Sequence, residues 1–250
     1  MNVGLYQSAA TLSALERWQD VVSQNITSAQ TSGYRKRTIQ FSSEVAGKWN
    51  INPSAKNAGR ENEHEVLFTR ATNGINFLHG ETQPTRRDLD VAIQGEGFFE
   101  LKGPDGQKFY TRNGEFRMTP ERLLVAGAGL QVMTASGDAV TLRPGTDPIT
   151  INRDGSIIQG AVPLGKLAVH SFDHPQNLIA IAGGMFIEGN NTGKHSVDDP
   201  EIMQGYIEAS NVQSLREMVD LVLIARAYEA NQKIITSIDQ QMGKALEALG

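Results

Sequence analysis

The sequence predicts a mixed, mainly β fold: an antiparallel β central domain, with N- and C-terminal helices that pair into a coiled-coil-like helical domain. Three observations predict it. All nine prolines lie from Pro53 to Pro200, so neither terminal segment carries the residue that breaks a helix interior. Of the 25 glycines, 20 fall between Gly47 and Gly193, where Asp105-Gly106, Asn113-Gly114, Ser136-Gly137 and Asp154-Gly155 punctuate short apolar runs. Both ends carry apolar residues at helical spacing.

At the N-terminus, Leu5, Leu12, Leu15, Val22 and Ile26 lie along one narrow stripe of a helix that stops by Gly33. At the C-terminus, Leu221, Ile224, Tyr228, Asn231, Ile235, Ile238, Met242, Ala245 and Leu249 alternate spacings of three and four without a break. Asn231 at a seam position is the kind of polar interruption that fixes register. Ser214 and Glu217 have the spacing of a capping box, and the helix is expected to begin between 210 and 215.

In the middle, Leu89, Val91 and Ile93 alternate with Asp88, Asp90 and Ala92, the period of a half-buried strand. Further runs are Phe98 to Leu101, Phe109 to Thr111, Leu123 to Val125, Ile149 to Ile151, Leu167 to Val169 and Met185 to Ile187. Short, regularly punctuated strands form a compact antiparallel body. The stretch from about Gly47 to Arg87 has weak periodicity and predicts an extended connector with at most a little strand, running alongside the helices. The expected organisation is therefore an N-terminal helix in 1–35, a connector in 36–87, an all-β domain in 88–204 and a C-terminal helix in 205–250.

Composition narrows the function. The formal charge is -5 and the pI about 5.6, which denies the chain the positive field of a generic nucleic-acid binder. The compact basic run Arg35-Lys36-Arg37 reads as a solvated flank. Absence of cysteine excludes disulfides, thiol catalysis and thiolate metal sites. No apolar run reaches a membrane-spanning length, and the first 30 residues lack the basic and apolar regions of a cleavable signal. His170 and His174 read as loop histidines, and His64, His79 and His195 as solvated ones, with no metal or other cofactor expected. The carboxylate pairs Asp88/Asp90 and Asp198/Asp199 read as solvated edges. No nucleophile elbow, dinucleotide turn or phosphate loop is present.

Three segments resemble the bacterial flagellar hook-basal-body rod family. Near the N-terminus, Asn25, Ile26, Thr31, Gly33, Tyr34 and Arg35 match its first signature, while Gln24, Thr27 and Ser28 depart from the usual Asn, Ala and Asn. The run Leu89-Asp90-Val91-Ala92-Ile93-Gln94-Gly95-Glu96-Gly97-Phe98-Phe99, followed by Tyr110-Thr111-Arg112-Asn113-Gly114, is similar to its central block. Gly205 to Val212, with Ser210 and Asn211, then Glu217-Met218-Val219 and Arg226 to Asn231, is similar to its C-terminal signature. Arg226 to Asn231 leans toward the distal rod subunit. The short length and Ile234 to Asp239 lean toward the proximal one, which is slightly preferred.

The resemblance implies a non-enzymatic subunit of the basal-body rod, whose terminal helices form the inner layer of a helical, torque-transmitting tube that spans the periplasm. Its implied partners are copies of itself, other rod and hook-basal-body proteins, and the type III apparatus that exports it without signal cleavage. The expected assembly residues are Leu5, Leu12, Leu15, Val22 and Ile26 with Leu221, Ile224, Tyr228, Asn231, Ile235, Ile238 and Met242. Gly33, Gly95 and Gly97 are backbone-shape positions. The competing reading, a coiled-coil adaptor or export-associated binding module, predicts a small closed oligomer in place of an open polymer. An enzyme is the least favoured class.

Overall fold

The computed structural model describes residues 3–50, 63–145 and 147–247. The chain divides into two compact units. One takes the chain to residue 26, then 37–74 and from 214 onward; the other comprises 27–36 and 75–213.

In the first unit, helix α1 spans Val3–Thr27 and helix α2 spans Ser214–Glu247. Both are proline-free, as a continuous backbone hydrogen-bond ladder requires. The stripe on α1 turns inward: Leu15 and Val22 are buried, and Leu5, Leu12 and Ile26 are half-buried. The predicted seam of α2 is its shielded side. Ile224 and Asn231 are buried and Leu221, Tyr228, Ile235 and Ile238 are half-buried, whereas Met242 and Ala245 are exposed. Leu249 lies outside the described residues.

Hydrogen bonds between described residues join the helices. The Asn231 Nδ2 donates to the Ser8 carbonyl at 2.9 Å, and the Asn25 Nδ2 donates to Glu217 Oε2 at 2.9 Å. Residue number rises along one helix as it falls along the other, so the helices run antiparallel.

The described residues of the expected connector are mostly strand. Strand β1, Arg37–Asn50, and strand β2, Glu63–Ile75, pair as a two-stranded ribbon. Its rungs include Thr72 Oγ1 donating to the Gln40 carbonyl at 3.4 Å and Arg70 bridging to Glu44 at 2.9 Å. The sequence hid this ribbon because several apolar side chains along it, such as Phe41, Val45 and Leu67, are exposed, and no alternation between a wet and a dry face develops. The ribbon does run beside a helix. Gln7 and Arg17 of α1 donate to the carbonyls of Leu67 and Ala71, and Trp18 meets Phe41 edge to face at 5.6 Å.

The second unit is built on a nine-stranded antiparallel sheet. Its central strand, Phe98–Lys102, pairs with Lys108–Thr111, with Leu130–Val132 and with Val169–Phe172. A three-stranded sheet, Ile149–Ile151, Ser156–Gln159 and Val162–Lys166, completes the body with two small pairs, Glu201–Gln204 on Val91–Gln94 and Tyr206–Glu208 on Thr82–Pro84.

The expected strands are present within a few residues. Asp105-Gly106 and Asp154-Gly155 make turns with Gly106 and Gly155 at positive φ, a region that glycine enters without steric cost. The strand Val91–Gln94 departs from the half-buried expectation: Asp90 and Ala92, assigned to the wet face, are as buried as Val91 and Ile93. The core gathers Phe99, Leu101, Phe116, Leu124, Val132, Ile157 and Leu167, and a second cluster stacks Phe98, Tyr110, Phe172 and Phe186.

Candidate functional site

Helix α2 is apolar on two opposite sides over its first half. At about 100° per residue, Glu217, Leu221, Ile224, Tyr228, Asn231 and Ile235 fall on one side, while Leu215, Val219 and Val222 fall about 180° away. This second stripe is bare. Leu215 is 78% exposed, Val219 54% and Val222 53%, with Met218 and Leu223 exposed on its flanks. The shielded seam is legible in the sequence as an unbroken period of three and four, whereas the bare stripe, Leu215, Val219 and Val222, is too short to show one. Beside the seam, Leu221, Ile224, Ala225 and Tyr228 line a groove of about 490 Å³ together with Gln19 of α1.

Two asparagines from the matched signatures act as backbone surrogates. Asn25 is fully buried; its Oδ1 accepts from the Arg37 N–H at 2.9 Å and its Nδ2 donates to the Arg37 carbonyl at 2.8 Å, as a paired strand residue does. With Glu217 it therefore joins the end of α1, the start of β1 and the start of α2. In the β unit, Asn211 Oδ1 accepts from the Lys36 N–H at 2.6 Å, and its Nδ2 donates to the carbonyls of Asn76 and Leu78. Ser210 Oγ accepts from the Val212 N–H beside it.

The three signature segments meet in the β unit at a buried charge cluster. Arg35 Nη1 donates to Glu208 Oε1 at 2.5 Å, and Arg112 Nη1 lies 3.3 Å from Glu208 Oε2. All three side chains are at most 3% exposed. Glu208 also accepts from the Gly80 N–H, while Arg35 reaches the Leu78 carbonyl and Arg112 the carbonyls of Ile93 and Gly95. Burial pushes the Arg112 guanidinium down to about 10, with Arg35 adding to that push and Glu208 opposing it. His79 is lowered from its ordinary value by burial first and then by Arg112 and Arg35, so as a neutral ring its Nδ1 accepts from Arg35 Nη2 at 3.3 Å.

Backbone closeness explains the glycines around this cluster. Gly33 has φ +69 and donates its N–H to the Glu208 carbonyl; a Cβ there would stand 2.3 Å from the Arg112 carbonyl carbon and 2.4 Å from the Asn113 nitrogen. A Cβ on Gly114 would stand 1.8 Å from the Val91 oxygen. Gly95 and Gly97 both have positive φ. Asn113 Oδ1 accepts from the Glu115 N–H, Thr31 accepts from the Tyr34 N–H, and Tyr34 is buried. These turn positions hold backbone in shape and bring no reactive groups together.

Several charged residues differ from expectation. Arg35 is not a solvated flank but a buried ion-pair member, and only its neighbours Lys36 and Arg37 reach partial exposure. His170 lies in the strand Val169–Phe172, not a loop, with Nε2 2.7 Å from Glu100 Oε2. His79, His174 and His195 are exposed, as expected, with one edge of the His79 ring against Arg35; the side chain of His64 lies outside the described residues. Asp90 is fully buried and bridged to Arg87 at 3.2 Å. Such pairings are invisible in sequence because the partners come from distant segments. Among the described residues no group of three or more His, Asp or Glu could hold a metal ion, and no helix is long and apolar enough to cross a membrane.

Comparisons with known proteins agree with this architecture. Residues 92–159 match the family described as "Flagellar hook protein FlgE/F/G D1 domain", and residues 203–248 match "Flagellar basal body rod FlgEFG protein C-terminal". The chain is similar to the flagellar basal-body rod protein FlgF of Caulobacter vibrioides, 32% identical over 250 residues, covering 100% of this chain and 99% of the relative. It is also similar to FlgF of Mesorhizobium japonicum, 29% identical with 100% and 99% coverage, and to FlgG of Borreliella burgdorferi, 30% identical with 96% of each chain covered. Full-length similarity at this level, over a fold in which the three signature segments converge, identifies the chain as a structural subunit of the flagellar basal-body rod, in the FlgF/FlgG family.

Proposed function

We propose that the chain polymerises through its terminal helices into the wall of a helical rod that carries torque across the periplasm. The observation that carries this reading is the two-sided α2: one apolar side is shielded, and the opposite side exposes Leu215, Val219 and Val222. Wet apolar stripes of this kind mark interaction surfaces. A head-to-tail contact that does not close on itself extends without limit, as a rod requires.

In this reading the residues named from the seams have two roles. Leu12, Leu15, Val22, Leu221, Ile224, Tyr228 and Asn231 form a coiled-coil-like pairing of the two helices, while Leu5, Ile26, Ile235, Ile238 and the exposed Met242 extend the contact to neighbouring subunits. The terminal segments 1–35 and 205–250 serve assembly, and the β segment 88–204 provides the outer surface. Export through the type III apparatus as an unfolded chain fits a fold with no disulfide to break. The partners are further copies and other rod and hook-basal-body subunits.

The test is polymerisation of the purified chain, followed by sedimentation and electron microscopy, for wild type and the Leu215→Asp/Val222→Asp variant. Filaments from the wild type and soluble, fully folded protein from the variant support the reading. A discrete wild-type dimer or trimer that the variant leaves unchanged points instead to a closed adaptor.

A further inference from the structure

The β unit contains a cleft of about 520 Å³ whose lining includes Arg35, Arg112, Phe77, Phe98, His79 and Glu96. Two guanidiniums at most 2% exposed share one buried carboxylate, Glu208. The Nε atoms of Arg35 and Arg112 have no hydrogen-bond partner among the described residues. Arg112 also lies 5.4 Å from the centre of the Phe98 ring, within cation–π range, so charge and aromatic surface occupy the same wall. A buried positive charge that its surroundings only partly neutralise favours an incoming anion.

We propose that this cleft is a binding site for a single carboxylate carried on a compact apolar stem. The carboxylate supplies the negative charge that Glu208 cannot provide to two arginines at once, and the stem packs on Phe77 and Phe98. One charge is favoured over two because Glu96 and Asp173, both exposed, also line the cleft and repel a dianion such as phosphate. The volume suits either a small organic acid or one acidic side chain of a neighbouring subunit. The depressed Arg112 guanidinium is consistent with the unmet demand for negative charge.

The full chain, unassembled, is titrated with benzoate and with benzamide, its uncharged counterpart. Binding is followed by calorimetry and by the ring resonances of Phe77, Phe98 and His79. Saturable benzoate shifts confined to the cleft, with benzamide at least about tenfold weaker, are expected. The exposed Glu96→Gln variant, which removes a repelling charge without touching the core, binds benzoate several-fold more tightly. Absence of saturable cleft shifts, equal binding of benzamide, or weaker binding by Glu96→Gln overturns the proposal.

Polymerisation with and without saturating benzoate separates the two sources. Slowed growth identifies a neighbouring subunit's carboxylate, and unchanged growth with binding intact identifies a free acid. The binding measurement uses unassembled chain, so its failure is distinct from failure of the assembly reading.

Discussion

The β unit and the helical unit solve the burial problem differently. The β unit fully encloses large side chains, Phe99, Leu101, Tyr110, Phe116, Leu124 and Phe186 among them, and partly neutralises buried charge through the Arg35–Glu208–Arg112 cluster. Among the described residues the helical unit buries few apolar side chains, Ala14, Leu15, Val21, Val22, Ala71 and Ile224, and leaves Leu215, Val219, Val222 and Phe41 wet. Since apolar burial supplies most of the driving force for folding, the β unit has the larger share of its own stability within it, and the described residues of the helical unit have the smaller. The wet apolar surface of the helical unit is what the proposed assembly through the terminal helices would cover.

The largest effect that sharpens this contrast comes from Glu208→Gln. It leaves two buried guanidiniums without their shared carboxylate and lowers stability by about 3–5 kcal/mol, read as a lower denaturation midpoint of the β unit. Phe99→Ala, at a side chain with no exposed surface that packs 5.2 Å from the Phe116 ring, costs a similar about 3–5 kcal/mol. If either change left the β unit's transition in place, its core would not be self-sufficient.

Gly33→Ala comes next. It combines left-handed backbone strain of about 1–2 kcal/mol with a backbone clash that the neighbouring chain must move to relieve. The expected result is a destabilised β unit with α1 helicity retained, measured by comparing near- and far-ultraviolet circular dichroism.

The β unit should also respond to acid at Glu100. Burial alone would raise this carboxyl, but hydrogen bonds from His170 and Lys108 hold it down to about 2, against an ordinary 4.5. A depressed carboxyl contributes stability above its unfolded value and loses it as pH falls from about 4.5 toward 2. Thermal melts across that window should show a shallower pH slope for Glu100→Gln than for wild type.

In the helical unit, Asn231→Ala removes the bond to the Ser8 carbonyl and costs about 1 kcal/mol, detected as faster amide exchange in α1 and α2 with the β unit unchanged. Arg70→Ala is the smallest change. Its ion pair with Glu44 is more than half exposed at both partners, and the expected loss is under about 1 kcal/mol.

Legibility in the sequence followed local pattern. The seam of α2 was readable because spacings of three and four put Leu221, Ile224, Tyr228 and Ile235 on one side of a helix whatever surrounds it. The strands at Ile149–Ile151 and Met185–Ile187 were readable because turn residues bracket each apolar run. The ribbon escaped because Phe41 and Val45 are exposed apolar residues in a strand, and no wet–dry alternation marks it. The charge cluster escaped for a different reason: Arg35 beside Lys36 and Arg37 looks solvated, and nothing local to residue 35 points to residues 112 and 208. Three matched signatures hinted at a shared requirement, but only the fold makes it one site.

The cluster also links distant parts of the sequence. Arg35, Arg112 and Glu208 lie far apart in the sequence, and two arginines brought together without Glu208 repel each other. Closure of the β unit around them therefore requires the third partner. Contacts this distant in sequence form slowly, because the intervening chain must be ordered before they return any stabilisation. Glu208 thus ties the shape of the β unit to segments 173 and 96 residues away from it in the sequence.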